Sequence, residues 1–246
     1  MGRAIGAVPG EVVRRGMPLI GRAAAAGAPD RRVALERYRR LASVYDLSTA
    51  RGAPYRRRTV ERLAPAAGEV VLDVGCGTGL NFAALEEGIG PQGRLIGIDL
   101  CAEMLERARV RVADHGWRNV ELVEAAAEDV ELGVMVDAAI LCGVHDVMRS
   151  PSAVANVLRH VRPGGRLVAG GAKWVPWWRV GGAAVNVSTW AMNRDFVTTL
   201  EGFDRPWSVL SEFVPGLQVE EVYFGGGYIA WGRRPRNERP RARQRP

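Results

Sequence analysis

Val71-Leu72-Asp73-Val74-Gly75-Cys76-Gly77-Thr78-Gly79 reads as a short apolar strand that ends on an acid, enters a glycine-rich loop and opens a helix. Glycine lets the main chain come close to a ligand and take positive φ in a tight turn. A second acid, Asp99, stands 20 residues past Gly79 at the end of the next apolar run, Arg94–Asp99. A carboxylate in that place can accept both hydroxyls of a ribose, so the pair points to a nucleoside ligand. The third glycine arrives one residue early, as GxGxG rather than the dinucleotide pattern GxGxxG. Asp73 beside the loop would repel a pyrophosphate and attract an ammonium group.

Outward from this loop the pattern is regular. Glu69–Val74, Arg94–Asp99, Val120–Glu124, Val136–Leu141 and a run beginning at Arg166–Ala169 read as strands. Leu80–Glu87, Ala102–His115 and a segment capped by Ser152 and ending near Val161 read as the intervening helices, with Pro163-Gly164-Gly165 as a turn. Continuous apolar strands alternating with helices predict an α/β fold, a doubly wound, mainly parallel sheet covered on both faces. Near the end, Val219–Phe224 and Tyr228–Trp231 flank Gly225-Gly226-Gly227 and read as an antiparallel hairpin closing one sheet edge. Upstream, apolar residues from Arg31 to Tyr45 recur at helical spacing, and a second short helix covers Tyr55–Leu63. The expected organisation is a flexible basic leader (1–30), cap helices (31–64), a main domain (65–232) with an insertion at about 173–214, and a disordered Arg/Pro-rich tail (233–246).

Composition narrows the function classes. The chain has 246 residues, 47% hydrophobic and 25% charged, the profile of a soluble globular protein. No apolar run reaches the roughly 18 residues of a membrane span, and the first thirty residues hold no apolar signal block. Three cysteines, Cys76, Cys101 and Cys142, without a CxxC pair suggest neither a disulfide framework nor zinc, and three histidines make a histidine metal site unlooked-for. No metal and a reducing cytoplasm are expected. The net charge of +7 divides into +6 in residues 1–40, +6 in 233–246 and −5 between them. The positive charge therefore sits in the two ends rather than in a patch on the folded body, so nucleic acid is not the expected partner.

Three stretches together carry a resemblance: Asp73-Val-Gly75-Cys-Gly77-Thr-Gly79, then Gly97-Ile-Asp99-Leu-Cys-Ala-Glu-Met104-Leu, then Leu158-Arg-His-Val-Arg-Pro163-Gly164-Gly165. Over about residues 38–170 the chain resembles the class I S-adenosylmethionine-dependent methyltransferases. The cofactor so implied, S-adenosyl-L-methionine, has an ammonium and no phosphate, and leaves as S-adenosyl-L-homocysteine. The resemblance implies a Rossmann-like, seven-stranded sheet of order 3-2-1-4-5-7-6 with strand seven antiparallel. It also implies roles. The loop from Gly75 to Gly79, with Cys76, Gly77 and Thr78, would cradle the methionine and ribose parts. Asp73 would sit by the ammonium, directly or through water, Asp99 would bind the ribose, and Leu100 and Met104 would flank the adenine. Where related sequences carry Asp-Ala after strand three, this chain has Ala126-Ala127. The adenine amine would then meet Glu128, Asp129 or main chain, unless these acids only begin a solvated helix. Tyr45-Asp46-Leu47 resembles the N-terminal Tyr-Asp of quinone-biosynthesis-type methyltransferases and their phospholipid N-methyltransferase relatives. On that reading the N-terminal helices cover the cofactor, and Tyr45, with Arg56 or Arg57, contacts the methionine carboxylate; otherwise Tyr45 packs at a helix end.

For the acceptor, His145 beside Asp146, just past strand four, is the candidate base, poised near neutral pH by its neighbour. The alternative is a histidine that only packs or caps. Cys142 touches the cofactor on this reading. Trp174, Trp177 and Trp178 in Lys173–Arg179 line an acceptor pocket, rest in a membrane interface, or pack on the core. Arg194 and Trp207 fall in a stretch expected to form a substrate lid. The expected function is methylation of a small, largely apolar acceptor: a specialised metabolite, a quinone precursor or a phospholipid amine. The alternative is a cofactor-binding protein of the same fold catalysing a non-methylating rearrangement or cyclisation.

Overall fold

The computed structural model describes residues 29–236. Expectations for the leader before residue 29 and the tail beyond residue 236 lie outside the described residues. Three N-terminal helices come first: α1 (Arg31–Leu41), the short α2 (Tyr45–Ser48) and α3 (Ala53–Leu63). Strand–helix alternation follows: β1 (Val70–Val74), α4 (Phe82–Ile89), β2 (Arg94–Asp99), α5 (Ala102–His115), β3 (Val120–Glu124), β4 (Val136–Cys142), the short α6 (His145–Met148), α7 (Pro151–His160) and β5 (Val161–Ala172). Helices α8 (Gly182–Asn193) and α9 (Ser208–Phe213) precede the closing strands β6 (Gln218–Val222) and β7 (Gly227–Arg233).

The strands form one seven-stranded sheet in the order β3-β2-β1-β4-β5-β7-β6. The first five pair in parallel; β7 runs antiparallel between β5 and β6. Neighbouring residues of a strand point to opposite faces, and both faces here are covered. Leu72, Val74, Ile96, Ile98, Ala139 and Leu141 enter one apolar cluster, with α7 and α9. Val71, Leu95, Ala138, Ile140 and Val168 enter the other, with α3, α4 and α5. That is the physical meaning of the unbroken apolar runs in the sequence: each residue of such a strand has a helix to meet.

Four local expectations are corrected. The first helix ends at Leu41, and the chain turns before α2 instead of continuing to Tyr45. The cap of α7 is Ser150, whose Oγ accepts from the Ala153 N–H at 3.3 Å; Ser152 lies inside the helix beside it. Strand β5 starts at Val161, and its register against β4 jumps between Val136 and Ala138, so Pro163–Gly165 is a bulge within the strand and not a turn before it. Strand β6 ends at Val222, because Tyr223 and Phe224 take φ of 52° and 56° and make the turn themselves.

Insertion residues split in use. α9 and the residue after it place Val209, Leu210 and Val214 in the core against α7, so this end of the expected lid is structural. Among the described residues, no helix is long and apolar enough to cross a membrane.

Phe82, fully buried at the start of α4, wedges the glycine loop against the sheet. Its ring meets Trp117 edge-on at 6.5 Å and fills the space beside Gly97, where a Cβ would lie 2.9 Å from its Cζ. Phe82→Ala is expected to cost about 3–5 kcal/mol by leaving a cavity, read as a lower urea midpoint at an unchanged slope.

Candidate active site

The carboxyl ends of β1, β2 and β4 open into a cavity of about 300 Å³. In open α/β sheets ligands bind at this edge. The glycine loop forms its floor. Gly75 and Gly77 have φ of 63° and 56°, a region that side chains rarely adopt. A Cβ on Gly75 would lie 2.5 Å from Val144 Cγ1, and one on Gly77 would project 3.6 Å from Met104 Cε, where both residues line the cavity.

Asp99 ties this loop to the second strand. Its Oδ2 accepts from the Gly77 N–H at 2.9 Å and its Oδ1 from the Cys101 N–H at 2.8 Å. Burial raises its pKa, and the N–H groups of Cys101, Gly77 and Leu100 pull it back. Leu100 and Met104 form an apolar wall; Ala126, Ala127 and Glu128 form the far side; Cys142 lies beneath, its thiol pushed up to about 12 by burial.

The roof comes from distant parts of the chain. Tyr38 and Leu35 of α1, Tyr45 of α2 and Phe196 all line the cavity. The rings of Tyr45 and Phe196 meet edge-on at 5.7 Å, and Tyr38 packs against both. The Tyr38 hydroxyl donates to the Phe196 carbonyl at 2.8 Å, and Arg37 donates to the Val197 carbonyl. Thr198 links roof and floor, its Oγ1 donating to Asp146 Oδ2 at 2.6 Å and accepting from the Asp30 N–H at 3.1 Å. Arg31 closes the far side with ion pairs of 3.0 Å to both Glu128 and Asp129.

Residues 71–165 match a protein family described as "Methyltransferase domain". Over 113 residues the chain is 31% identical to demethylmenaquinone methyltransferase of Lactococcus lactis subsp. lactis, covering 45% of each chain. Over 103 residues it is 34% identical to aklanonic acid methyltransferase DauC of Streptomyces sp. (strain C5), covering 42% of this chain and 46% of that one. The fold matches the N-methyltransferase NodS of Bradyrhizobium japonicum WM9, solved in complex with S-adenosyl-L-homocysteine, with a TM-score of 0.54 at 19% identity over 74% of this chain and 87% of that one. Residues 71–165 are therefore similar to a methyltransferase domain, and the fold of the chain is that of S-adenosylmethionine-dependent methyltransferases. The chain spans less than half the length of the curated relatives that it matches.

The residues lining the cavity fit S-adenosyl-L-methionine. Asp99 lines the cavity with its oxygens held by the Gly77 and Cys101 N–H groups, and a carboxylate has acceptor capacity beyond these for ribose hydroxyls. The bare main chain at Gly75 and Gly77 leaves the room that a Cβ would fill.

The expected cofactor residues divide. Tyr45, Gly75, Gly77, Asp99, Leu100, Met104, Ala126, Ala127, Glu128 and Cys142 line the cavity; Asp73, Cys76, Thr78 and Gly79 do not. Asp73 is wholly buried below the loop, both oxygens accepting from Asn81 Nδ2 at 3.1 and 3.2 Å, so a direct contact with the ammonium is corrected. Burial and the nearby Asp99 push its carboxyl up to about 7. The Cys76 side chain belongs to the core. The Thr78 hydroxyl donates to Asp46 Oδ1 at 2.5 Å, and Arg111 joins the pair, donating to Asp46 Oδ2 at 2.5 Å and to the Thr78 carbonyl at 2.8 Å. Asp46 thus anchors the loop to α2. Glu128 reaches the cavity, whereas Asp129 is exposed, and the two sit in a single turn, not a helix. Arg56 donates to the Thr49 carbonyl and Arg57 pairs outward with Glu61 and Glu87, so neither lines the cavity.

His145 and Asp146 both line the cavity, but not as a couple. Successive residues of a helix face different ways. Asp146 accepts from Thr198, while His145 bonds through Nε2 to the Glu201 carbonyl at 3.1 Å and lies against Phe203 at 4.2 Å. Burial pushes the His145 imidazole down to about 4. The expectation of a base near neutrality is corrected: nothing anionic faces the ring to hold its proton. A carbonyl can only accept, so Nε2 carries the hydrogen and Nδ1, buried and without a partner, keeps a free lone pair.

The tryptophans do not form the expected acceptor pocket. Trp174 packs on Phe203, Trp207 packs on Tyr228 in the core, Trp177 and Trp178 are exposed, and Arg194 lies over Trp190 at the surface. Phe196, Thr198, Tyr38 and Arg31 were not singled out from the sequence. Tyr38 was visible only as one apolar position of an amphipathic helix, and residues 196–198 carry no local signal.

The pH dependence of stability follows from Asp73. Its folded pKa, about 7 against the usual 3.8, lies above the unfolded value. The group therefore stabilises the fold fully below pH 3.8, and that contribution is lost as pH rises through about 7. The unfolding free energy of the wild type minus that of Asp73→Asn is expected to fall between about pH 4 and pH 8. A flat difference in denaturation curves would contradict it.

Proposed function

We propose that this chain transfers a methyl group from S-adenosyl-L-methionine to a small, largely apolar acceptor. The observation that carries the reading is that one cavity joins the Asp99 carboxylate and the bare glycine main chain to an apolar wall of Leu35, Ile98, Val144 and Phe196. The relatives' names favour transfer over a rearrangement on the same fold. They include a demethylmenaquinone methyltransferase and an aklanonic acid methyltransferase, names that support a quinone precursor or a polyketide-like metabolite over a phospholipid amine.

When bound, the cofactor supplies an electrophilic methyl on a sulfonium: the acceptor's electron pair forms the new bond, the carbon–sulfur pair stays on sulfur, and the acceptor's proton departs. The protein's part is to position and to exclude water. Asp99 and the glycine loop would hold the nucleoside end. Leu100 and Met104 would flank the base, while Arg31 pairs with Glu128 at the far side. Tyr38, Tyr45 and Phe196 roof the reaction space.

His145 sets a limit on the acceptor. A neutral imidazole with its pKa near 4 is a weak base at neutral pH. With Nε2 held by the Glu201 carbonyl and Nδ1 buried, it packs beside the acceptor space and does not strip an alcohol. The acceptors favoured are those that arrive nucleophilic: an acid or an acidic carbon ionised in water, or a neutral amine.

Asp99→Ala is expected to weaken S-adenosyl-L-homocysteine binding roughly 10- to 100-fold by calorimetry, the loss of charge-assisted bonds. Unchanged affinity would remove the nucleoside assignment. With an acceptor found by screening for S-adenosyl-L-homocysteine release, His145→Ala is expected to lower kcat by less than about 100-fold. Its pH profile should parallel the wild type between about pH 6 and 9. A wild-type inflection in that range that vanishes in the variant would restore a general base.

A further inference from the structure

Two loops outside the cavity pack together at one end of the sheet and carry exposed apolar side chains to its surface. Residues 173–185 rest on the turn between β6 and β7. The Lys173 N–H donates to the Gly226 carbonyl at 3.0 Å, and Lys173 Nζ bonds Glu221 Oε1 at 2.9 Å and the Gly225 carbonyl at 3.2 Å. Arg179 donates to Glu221 Oε2 at 2.8 Å. From the first loop Trp177, Trp178 and Val180 stand out with 83%, 71% and 102% of their surface free; from the turn Phe224 stands out with 90%. The two indoles meet edge-on at 6.0 Å.

The turn is strained in a way that presents Phe224. Two successive aromatic residues hold positive φ, a conformation that is costly for a bulky side chain and persists where the surroundings impose it. Tyr223 is held by a ring contact of 5.8 Å with Tyr55 of α3, and Lys173 grips the following carbonyls, which leaves the Phe224 ring in solvent. Arginines lie on the first loop and on α3 beside this turn. Arg58 and Arg62 share Glu220, and Arg179 shares Glu221 with the buried Lys173, so three surface arginines meet two carboxylates.

From these observations we propose that this face docks the chain on an anionic lipid surface, with Trp177, Trp178, Val180 and Phe224 entering the headgroup–acyl boundary and the arginines meeting lipid phosphates. Tryptophan favours that boundary, its ring apolar and its N–H wet. Binding of this kind combines buried apolar area with attraction to negative headgroups. A self-complementary contact between two copies would press like-charged faces together. A run of ring contacts connects the face to the cavity: Trp174 meets Phe203 at 5.2 Å, and Phe203 meets His145 at 4.2 Å. The proposal stands on the surface alone and does not depend on which acceptor the cavity takes.

The test uses the full chain with vesicles of phosphatidylcholine alone and of phosphatidylcholine mixed with phosphatidylglycerol. Co-sedimentation with the mixed vesicles, and quenching of tryptophan emission by brominated acyl chains, are expected. Trp177→Ser with Trp178→Ser is expected to lower partitioning at least about tenfold, with circular dichroism and the S-adenosyl-L-homocysteine-induced rise in Tm retained. Phe224→Ser, a separate change in the other loop, is expected to lower it as well. Three results would overturn the proposal: no association with either vesicle; binding to mixed vesicles undiminished in both variants, which assigns it to charge alone; or a wild-type dimer by sedimentation velocity that the tryptophan variant dissolves without any lipid binding.

Discussion

The Asp99 carboxylate and its two main-chain donors organise this molecule. A loop with three glycines has many conformations available and loses much entropy when held in one. Accepting the N–H of Gly77 from one strand tip and of Cys101 from the next, Asp99 fixes the gap between β1 and β2. The bonds are charge-assisted, which makes them strong enough to hold a partly buried acid in place. Thr78 and Arg111 add a second anchor through Asp46, so the loop is gripped from the sheet side and from the N-terminal helices.

Electrostatics in the cavity separates residues that the sequence places side by side. Asp73 and Asp99 both end strands, yet one lies wholly buried against an asparagine and the other opens onto the cavity with main-chain donors on both oxygens. His145 and Asp146 are adjacent, yet each turns to a different partner in the 196–201 segment. The outcome is a buried, neutral imidazole rather than a charged pair. A methyl transfer to an acceptor that is already nucleophilic asks for little more than order and dryness, and the roof of Tyr38, Tyr45 and Phe196 supplies both.

That roof shows how an insertion can be divided between stability and function. α9 is part of the core, residues 196–198 close the cavity, and residues 177–180 stand away from both. Tyr38 and Phe196 are 158 residues apart in sequence and one hydrogen bond apart in space.

Much of the architecture was readable from local pattern. The runs Arg94–Asp99, Ala102–His115 and Val120–Glu124 form the elements expected of them, because apolar period and glycine placement are properties of short segments. The same holds for the glycine loop and for Asp99 as the acid beside it. Boundaries moved where a short-range bond competed, as at Ser150, or where backbone strain is imposed from outside, as at Tyr223 and Phe224. What covers the cavity, which strand-end acid faces it, whether His145 holds a proton and where the tryptophans point depended on segments brought together only by folding. Burial, dielectric and enclosure are sums over neighbours from the whole chain, and no window of sequence contains them.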